Sequence, residues 1–229
     1  MFAALAKNFG GLQDKLNIFV ALAPVVNLKN SPNSMITNAS KAWKQLESTA
    51  RTIKLYEIRN PKQDALMKNF CGTFASLCNG ITAFLNMTTS PYNVPEREQV
   101  ENARPASSAS LNQVVHYGQI AATGVFKEYD YGSDAENIAH YGTKDPPLIT
   151  VENIAKVPVA MFVGLQDDLA DPVDTRQTRD KLKTLHFYKE YNNMDHSSFG
   201  IGKDMSFMND VIAQIKSVGG NDPNEELLQ

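Results

Sequence analysis

Three apolar stretches set the frame of this chain, and each has the spacing of a strand. Val157 to Val163 (VPVAMFV) is an almost unbroken apolar run closed by Gly164, the pattern of a strand buried on both faces of a parallel sheet. Leu16 to Ala23 (LNIFVALA) reads the same way and is ended by Pro24. A third, Leu185 to Glu190, follows the helix expected over Pro172 to Leu182. Ahead of the first strand, Phe2, Leu5 and Phe9 fall on one helical face, and Gly10-Gly11 terminates a helix over Met1 to Phe9. Between Asn27 and Pro147 helical spacing takes over. Helices are expected over Lys41 to Leu55, Pro61 to Phe70 (capped by Asn60), Gly72 to Leu85 and Ser108 to Thr123, the last ended by Gly124. The polar, proline-containing interval Thr88 to Ser110 reads as a loop. The final helix is expected over Lys203 to Val218, where Met205, Met208, Val211, Ile212 and Ile215 recur at core spacing.

The strand ending at Gly164 is followed at once by acidic residues. In a parallel sheet the loops beyond the carboxyl ends of the strands form the ligand crevice, so a carboxylate there stands where chemistry is done. Asp171 precedes Pro172 and is expected to cap the next helix, with Asp174 in its first turn. That leaves Asp167 and Asp168 in the loop. After the third strand comes a polar turn, Asn192 to Asp195, and then His196. Strand, acid, helix, strand, histidine is the closing order of an α/β-hydrolase, whose triad runs nucleophile, acid, base along the chain. The expected fold class is therefore α/β: the carboxyl-terminal strands and helices of a parallel sheet, interrupted by a helical insertion. The expected organisation is core over 1–26, insertion over 27–150, core over 151–218 and a disordered tail over 219–229.

Composition narrows the function. A hydrophobic content of 42% over 229 residues sustains a buried core. A net charge of -3, from 22 basic and 25 acidic residues without a basic run, gives no electrostatic footprint for nucleic acid or an anionic membrane. No apolar segment approaches the roughly 18 residues of a membrane span, and the start MFAALAKNFGG lacks the charged opening of a signal peptide. Against a cytosolic reading stand two glycosylation sequons, at Asn38 and Asn86. Cys71 and Cys78 are either a short disulfide or two buried thiols on one helix face. Aromatic residues cluster at Phe126 to Gly132 and at His140-Tyr141, either to bind an apolar ligand or to pin a long loop to its core.

Several segments together carry a family resemblance: Phe19 to Val25 (FVALAPV), Phe126 to Gly132 (FKEYDYG) with His140-Tyr141 and Pro146-Pro147, Gly164 to Asp167 with Leu169 to Pro172, and His196. They span nearly the whole chain in order and resemble the carboxyl-terminal part of the acid lipases, the lysosomal acid lipase and gastric lipase family of α/β-hydrolases. The resemblance implies that Asp167 is the acid and His196 the base of a Ser-His-Asp triad, at an interval that fits the family. Asp168 stands where the family has an apolar residue. It further implies a triacylglycerol or sterol ester as substrate, a helical cap in the insertion, no cofactor, and a secreted or lysosomal parent protein.

No G-x-S-x-G occurs in the sequence. His196-Ser197-Ser198-Phe199-Gly200 imitates it but lies at the wrong end of the order, so Ser198 is not the expected nucleophile. In the family the serine elbow immediately precedes a helix resembling Met1 to Ala6, so the nucleophile and both oxyanion donors belong to polypeptide ahead of this sequence. Two other readings compete with the hydrolase. One is a non-catalytic lipid-binding or interaction protein that retains the cap; the other is an unrelated α/β fold with Asp167 and Asp168 as metal ligands.

Overall fold

The structure is a computed structural model that describes residues 1–58, 91–97, 100 and 109–219. The chain divides into two compact units, one formed by Met1–Val26 with the segment from Ile149 onward, the other by Asn27–Leu148.

In the first unit, Phe19–Leu22, Val159–Gly164 and Leu185–Tyr191 form a three-stranded parallel sheet with Val159–Gly164 in the centre. Every residue of that central strand is buried. This is why its sequence lacks the apolar–polar alternation of a strand with one wet face. Phe19 lies opposite Val159 and Leu22 opposite Phe162. On the other side Val159 pairs with Leu185, and a register shift places Phe187 against Ala160. One face of the sheet packs Ala160 and Phe162 against Ala170, Met194, Phe199, Phe207 and Val211. Aromatic edges knit this cluster, with Phe199 and Phe207 crossing at 5.1 Å and Tyr191 meeting both at 6.3–6.4 Å.

A buried glutamine ties the opening segment to the approach of the central strand. Gln13 donates through Nε2 to the carbonyls of Leu5 and Asn153, and its Oε1 accepts from the amides of Ala155 and Lys156. All of its side-chain polar valences in this buried setting are met, which is what a buried amide needs to avoid a desolvation penalty.

Several expected boundaries shift. The first helix covers Phe2–Ala6, not Met1 to Phe9. Asn8 takes a left-handed φ of 46° and its side chain accepts from the Gln13 amide, so the helix closes before the glycines. A 3-10 segment, Phe9–Asp14, carries Gly10 and Gly11, and Phe9 is 77% exposed rather than sharing the face of Phe2 and Leu5. The first strand is shorter than Leu16 to Ala23. The last helix starts at Phe207. There Phe207 and Val211 are buried, whereas Met208, Ile212 and Ile215 are 41%, 48% and 47% exposed. Two apolar stripes overlap on this helix, and only the one through Phe207 and Val211 meets the sheet.

The second unit is mostly helical where it is described. Ser34–Thr52 packs along Leu111–Thr123. The first begins seven residues before the expected Lys41. The second opens with a capping box, Ser110 accepting from the Gln113 amide while Gln113 accepts from the Ser110 amide. It ends at Gly124, whose φ of 69° suits a residue without Cβ. The expected loop Thr88 to Ser110 contains a helical turn at 95–97, and Ala109–Ser110 pairs antiparallel with Glu57–Ile58. Asp134–Tyr141 is a further helix, capped by Ser133 and closed by Gly142. The expected helices Pro61 to Phe70 and Gly72 to Leu85, with Cys71, Cys78 and Asn86, lie outside the described residues, as does the tail beyond residue 219. Asn38 is exposed on the helix Ser34–Thr52.

The aromatic cluster pins its loop. Tyr129 donates to Glu47 at 2.7 Å, Tyr141 donates to the Tyr129 carbonyl at 2.9 Å, and Tyr131 stacks on His140 at 3.7 Å. Gln119 brackets Asp130 with two bonds to its backbone, and the His116 ring bonds the Lys127 carbonyl. Burial and the hydrogen bond to Glu47 push the Tyr129 hydroxyl well above its ordinary pKa.

Candidate active site

The site lies on two loops that leave the carboxyl ends of neighbouring parallel strands. Asp167 follows the central strand by one tight turn, closed by its own amide on the Gly164 carbonyl. Its Oδ1 accepts from the amides of Leu169 and Ala170 at 2.9 and 2.7 Å. This Asx-type turn fixes the carboxylate from within its own loop and leaves Oδ2 for a partner from another loop. His196 follows the third strand, and its Nδ1 lies 3.0 Å from Asp167 Oδ2 across 29 residues of sequence. With Nδ1–H donating to the carboxylate, the ring's lone pair resides on Nε2.

The two partners differ in burial. The Asp167 side chain is fully buried, whereas that of His196 is 33% exposed. Burial disfavours the imidazolium, but the hydrogen bond and negative charge of Asp167, aided by Asp195 and Asp168, outweigh it. The His196 pKa is raised above its ordinary value.

Asp168 is exposed, and it is Asp167 that hydrogen-bonds His196; the charge of Asp168 also favours the imidazolium. Asp171 caps the helix Pro172–Lys181, its Oδ1 accepting from the Val173 amide at 2.8 Å, as its position before proline implies. Ser198 is fully buried and donates its hydroxyl to Asp195. Among the described residues no group of three or more His, Cys, Asp or Glu side chains is arranged to hold a metal ion.

The acid and base loops are joined by a short backbone seam. The amides of Leu165 and Gln166 donate to the carbonyls of Tyr191 and Met194 at 2.9 and 3.0 Å, and Gln166 Nε2 reaches the Asn192 carbonyl. The seam requires a glycine. A Cβ on Gly164 would overlap the Met194 carbonyl oxygen and lie 2.9 Å from its carbonyl carbon. Sequence reasoning singles out Asp167 and His196 but not this seam, since backbone pairing between loops leaves only the lone Gly164 as a trace.

Lipase member K of Mus musculus is 29% identical over 199 residues, covering 84% of this chain and 48% of that protein. Gastric triacylglycerol lipase of Mus musculus is 30% identical over 200 residues, 85% of this chain and 50% of that protein. By sequence, the chain is similar to these lipases over most of its own length. It spans about half the length of these curated relatives. No protein-family model matches it. Among solved structures, a soluble variant of monoglyceride lipase from Saccharomyces cerevisiae in complex with a substrate analog superposes with a TM-score of 0.50 at 14% identity, over 95% of this chain and 60% of that one. The parallel sheet with its helices is thus a partial α/β-hydrolase fold.

Proposed function

We propose that this chain carries the acid and the base of a Ser-His-Asp carboxylic ester hydrolase of the lipase type, acting on triacylglycerols or sterol esters. One observation carries the reading: a buried carboxylate and a part-exposed imidazole, hydrogen-bonded at 3.0 Å, on loops at the carboxyl ends of adjacent parallel strands. The similarity to lipases supports the substrate class.

The chemistry follows from the atoms. Asp167 holds the tautomer with hydrogen on Nδ1 and stabilises the imidazolium when it forms. Nε2 removes the proton of a serine hydroxyl as its oxygen bonds to the ester carbonyl carbon. The tetrahedral oxyanion then collapses, the carbon–alkoxy bond breaks, and Nε2–H protonates the departing alcohol. Water repeats the sequence on the acyl-enzyme and releases the fatty acid. On this reading the serine and the oxyanion donors are supplied from outside this sequence, which holds no G-x-S-x-G. The helical unit Asn27–Leu148 is assigned the role of cap, and the parent protein a secreted or lysosomal location, in keeping with the exposed Asn38 sequon.

That missing motif also favours a second reading, a lipid-binding relative without turnover. Fluorophosphonate labelling of the full-length product of the gene separates the two. The hydrolase reading expects a single labelled serine outside this chain and a labelling rate lowered by orders of magnitude in His196→Ala. A full-length product that binds lipid and takes no label would establish the second.

A further inference from the structure

His196 makes its polar contact through Asp167, yet a ring held by one bond is only as well placed as its backbone. The segment around it is closed by a reciprocal pair. The Asp195 amide donates to Ser198 Oγ at 3.0 Å, the Ser198 amide donates to Asp195 Oδ1 at 2.9 Å, and Ser198 Oγ donates to the same Oδ1 at 2.8 Å. His196 sits inside this closed loop of four residues. Beyond each end lies a buried anchor, Met194 before it and Phe199 after it, both in the sheet's core cluster. Ser198 is itself fully buried, at the start of the short helix Ser198–Ile201.

We propose that Ser198, acting with Asp195, is a positioning residue that fixes the backbone of His196 so that Nδ1 meets Asp167. It touches neither substrate nor the reacting atoms. Its catalytic consequence rests on the hydrolase reading, but its effect on the ring does not. The hydroxyl is used twice, as acceptor and as donor, so removing it deletes the bond from the part-buried Asp195 amide and one of the bonds on Asp195 Oδ1. Asp167 is held by amides of its own loop, and the seam reaches the His196 loop as far as Met194, so the residues after Met194 depend on the Asp195–Ser198 pair.

The test is NMR of the full 229-residue chain with labelled histidine, reading the His196 Nδ1–H resonance and the ring's titration. The groups facing this ring are Asp167, Asp195 and Asp168. Ser198→Ala is expected to broaden or abolish the Nδ1–H resonance and to lower the proton-binding constant of His196 by at least about threefold, since burial still disfavours the charged ring once Asp167 is less well aligned. Asp195→Ala is expected to act likewise. Asp195→Asn keeps the Oδ1 acceptor and should retain the resonance. If Ser198→Ala does not fold, the contrast between Asp195→Ala and Asp195→Asn decides alone. Unchanged resonance and titration in Asp195→Ala, or equal damage from Asp195→Asn, overturns the proposal. In the full-length enzyme Ser198→Ala should lower kcat about 10- to 100-fold with KM little altered. NMR changes without any wild-type turnover would leave the positioning role standing and remove the hydrolase reading.

Discussion

Replacing Gly164 by alanine tests how the acid and base loops are held together. A Cβ at this position overlaps the Met194 carbonyl oxygen and stands 2.9 Å from its carbonyl carbon and 3.3 Å from the Asp195 carbonyl oxygen. All three are backbone atoms, so no side chain can swing aside. To restore an ordinary contact the loops must separate by about 1 Å, given carbon–carbon contacts near 3.5–4 Å. That stretches the Leu165–Tyr191 and Gln166–Met194 bonds, now 2.9 and 3.0 Å, beyond hydrogen-bond range. Two lost bonds of about 1 kcal/mol each, plus overpacking of about 1–3 kcal/mol, are offset by about 0.4–1 kcal/mol from the stiffer unfolded chain. The expected loss is about 2–5 kcal/mol, and the 3.0 Å contact of His196 with Asp167 should open with it. The single tryptophan, Trp43, belongs to the other unit, so its fluorescence is the wrong probe. Urea unfolding followed by NMR signals of amides in the strand Val159–Gly164 reports the sheet directly. A loss under about 0.5 kcal/mol, with the His196 ring signals unmoved, would refute the seam as the element that sets the pair.

Phe162→Ala removes the ring at the centre of the sheet's core, fully buried and 5.3 Å from Phe187, and should cost about 3–5 kcal/mol in the same unfolding assay. Asp171→Ala deletes the cap on Pro172–Lys181 and should cost about 1 kcal/mol, with faster amide exchange at Val173. The raised pKa of His196 makes its pairing with Asp167 a pH-dependent contribution. That contribution is full below the ordinary histidine value of about 6.5 and is lost as pH rises through the raised folded value. Stability measured between pH 5 and 9, with these limits chosen to bracket roughly that range, should therefore fall less steeply in Asp167→Asn than in the parent chain. Base catalysis has the opposite slope, since only the neutral ring accepts a proton, and the same variant should shift its rising limb to lower pH.

Much of the sheet was legible because burial on both faces writes itself into the composition of a strand. Val157 to Val163 had no polar residue to place in water, and the observed strand Val159–Gly164 is buried throughout. The turn chemistry was equally readable. Asp171 before Pro172 caps its helix, and Gly124 ends Leu111–Thr123. The acid could be narrowed to Asp167 or Asp168 by position alone; the contact between Asp167 and His196 is what the folded chain adds. Elements were misjudged where two local signals overlapped. Gly10-Gly11 looked like the stop of the first helix, but Asn8 closes it earlier with its own side chain. On the last helix, apolar residues at two phases concealed which stripe is buried, because spacing does not reveal where the neighbouring sheet lies. The helix Asp134–Tyr141 carries only a short apolar pattern, and its signs are local ones, the Ser133 cap with Glu136 and the closing Gly142. Gln13, Asp195 and Ser198 left no periodic trace, since each acts through bonds to backbone whose partner is set by the fold.

The proton relay itself is tested most directly by ester turnover in the full-length enzyme that the hydrolase reading requires, compared between Asp167→Asn and Asp168→Asn. Asp167 is the carboxylate hydrogen-bonded to the imidazole, at 3.0 Å. Its replacement should lower kcat by on the order of 10⁴, as misdirecting the tautomer does in other triads, while Asp168→Asn should stay within about threefold, the scale of one lost exposed charge. Equal losses at the two positions, or full activity without the Asp167 carboxylate, would contradict the account.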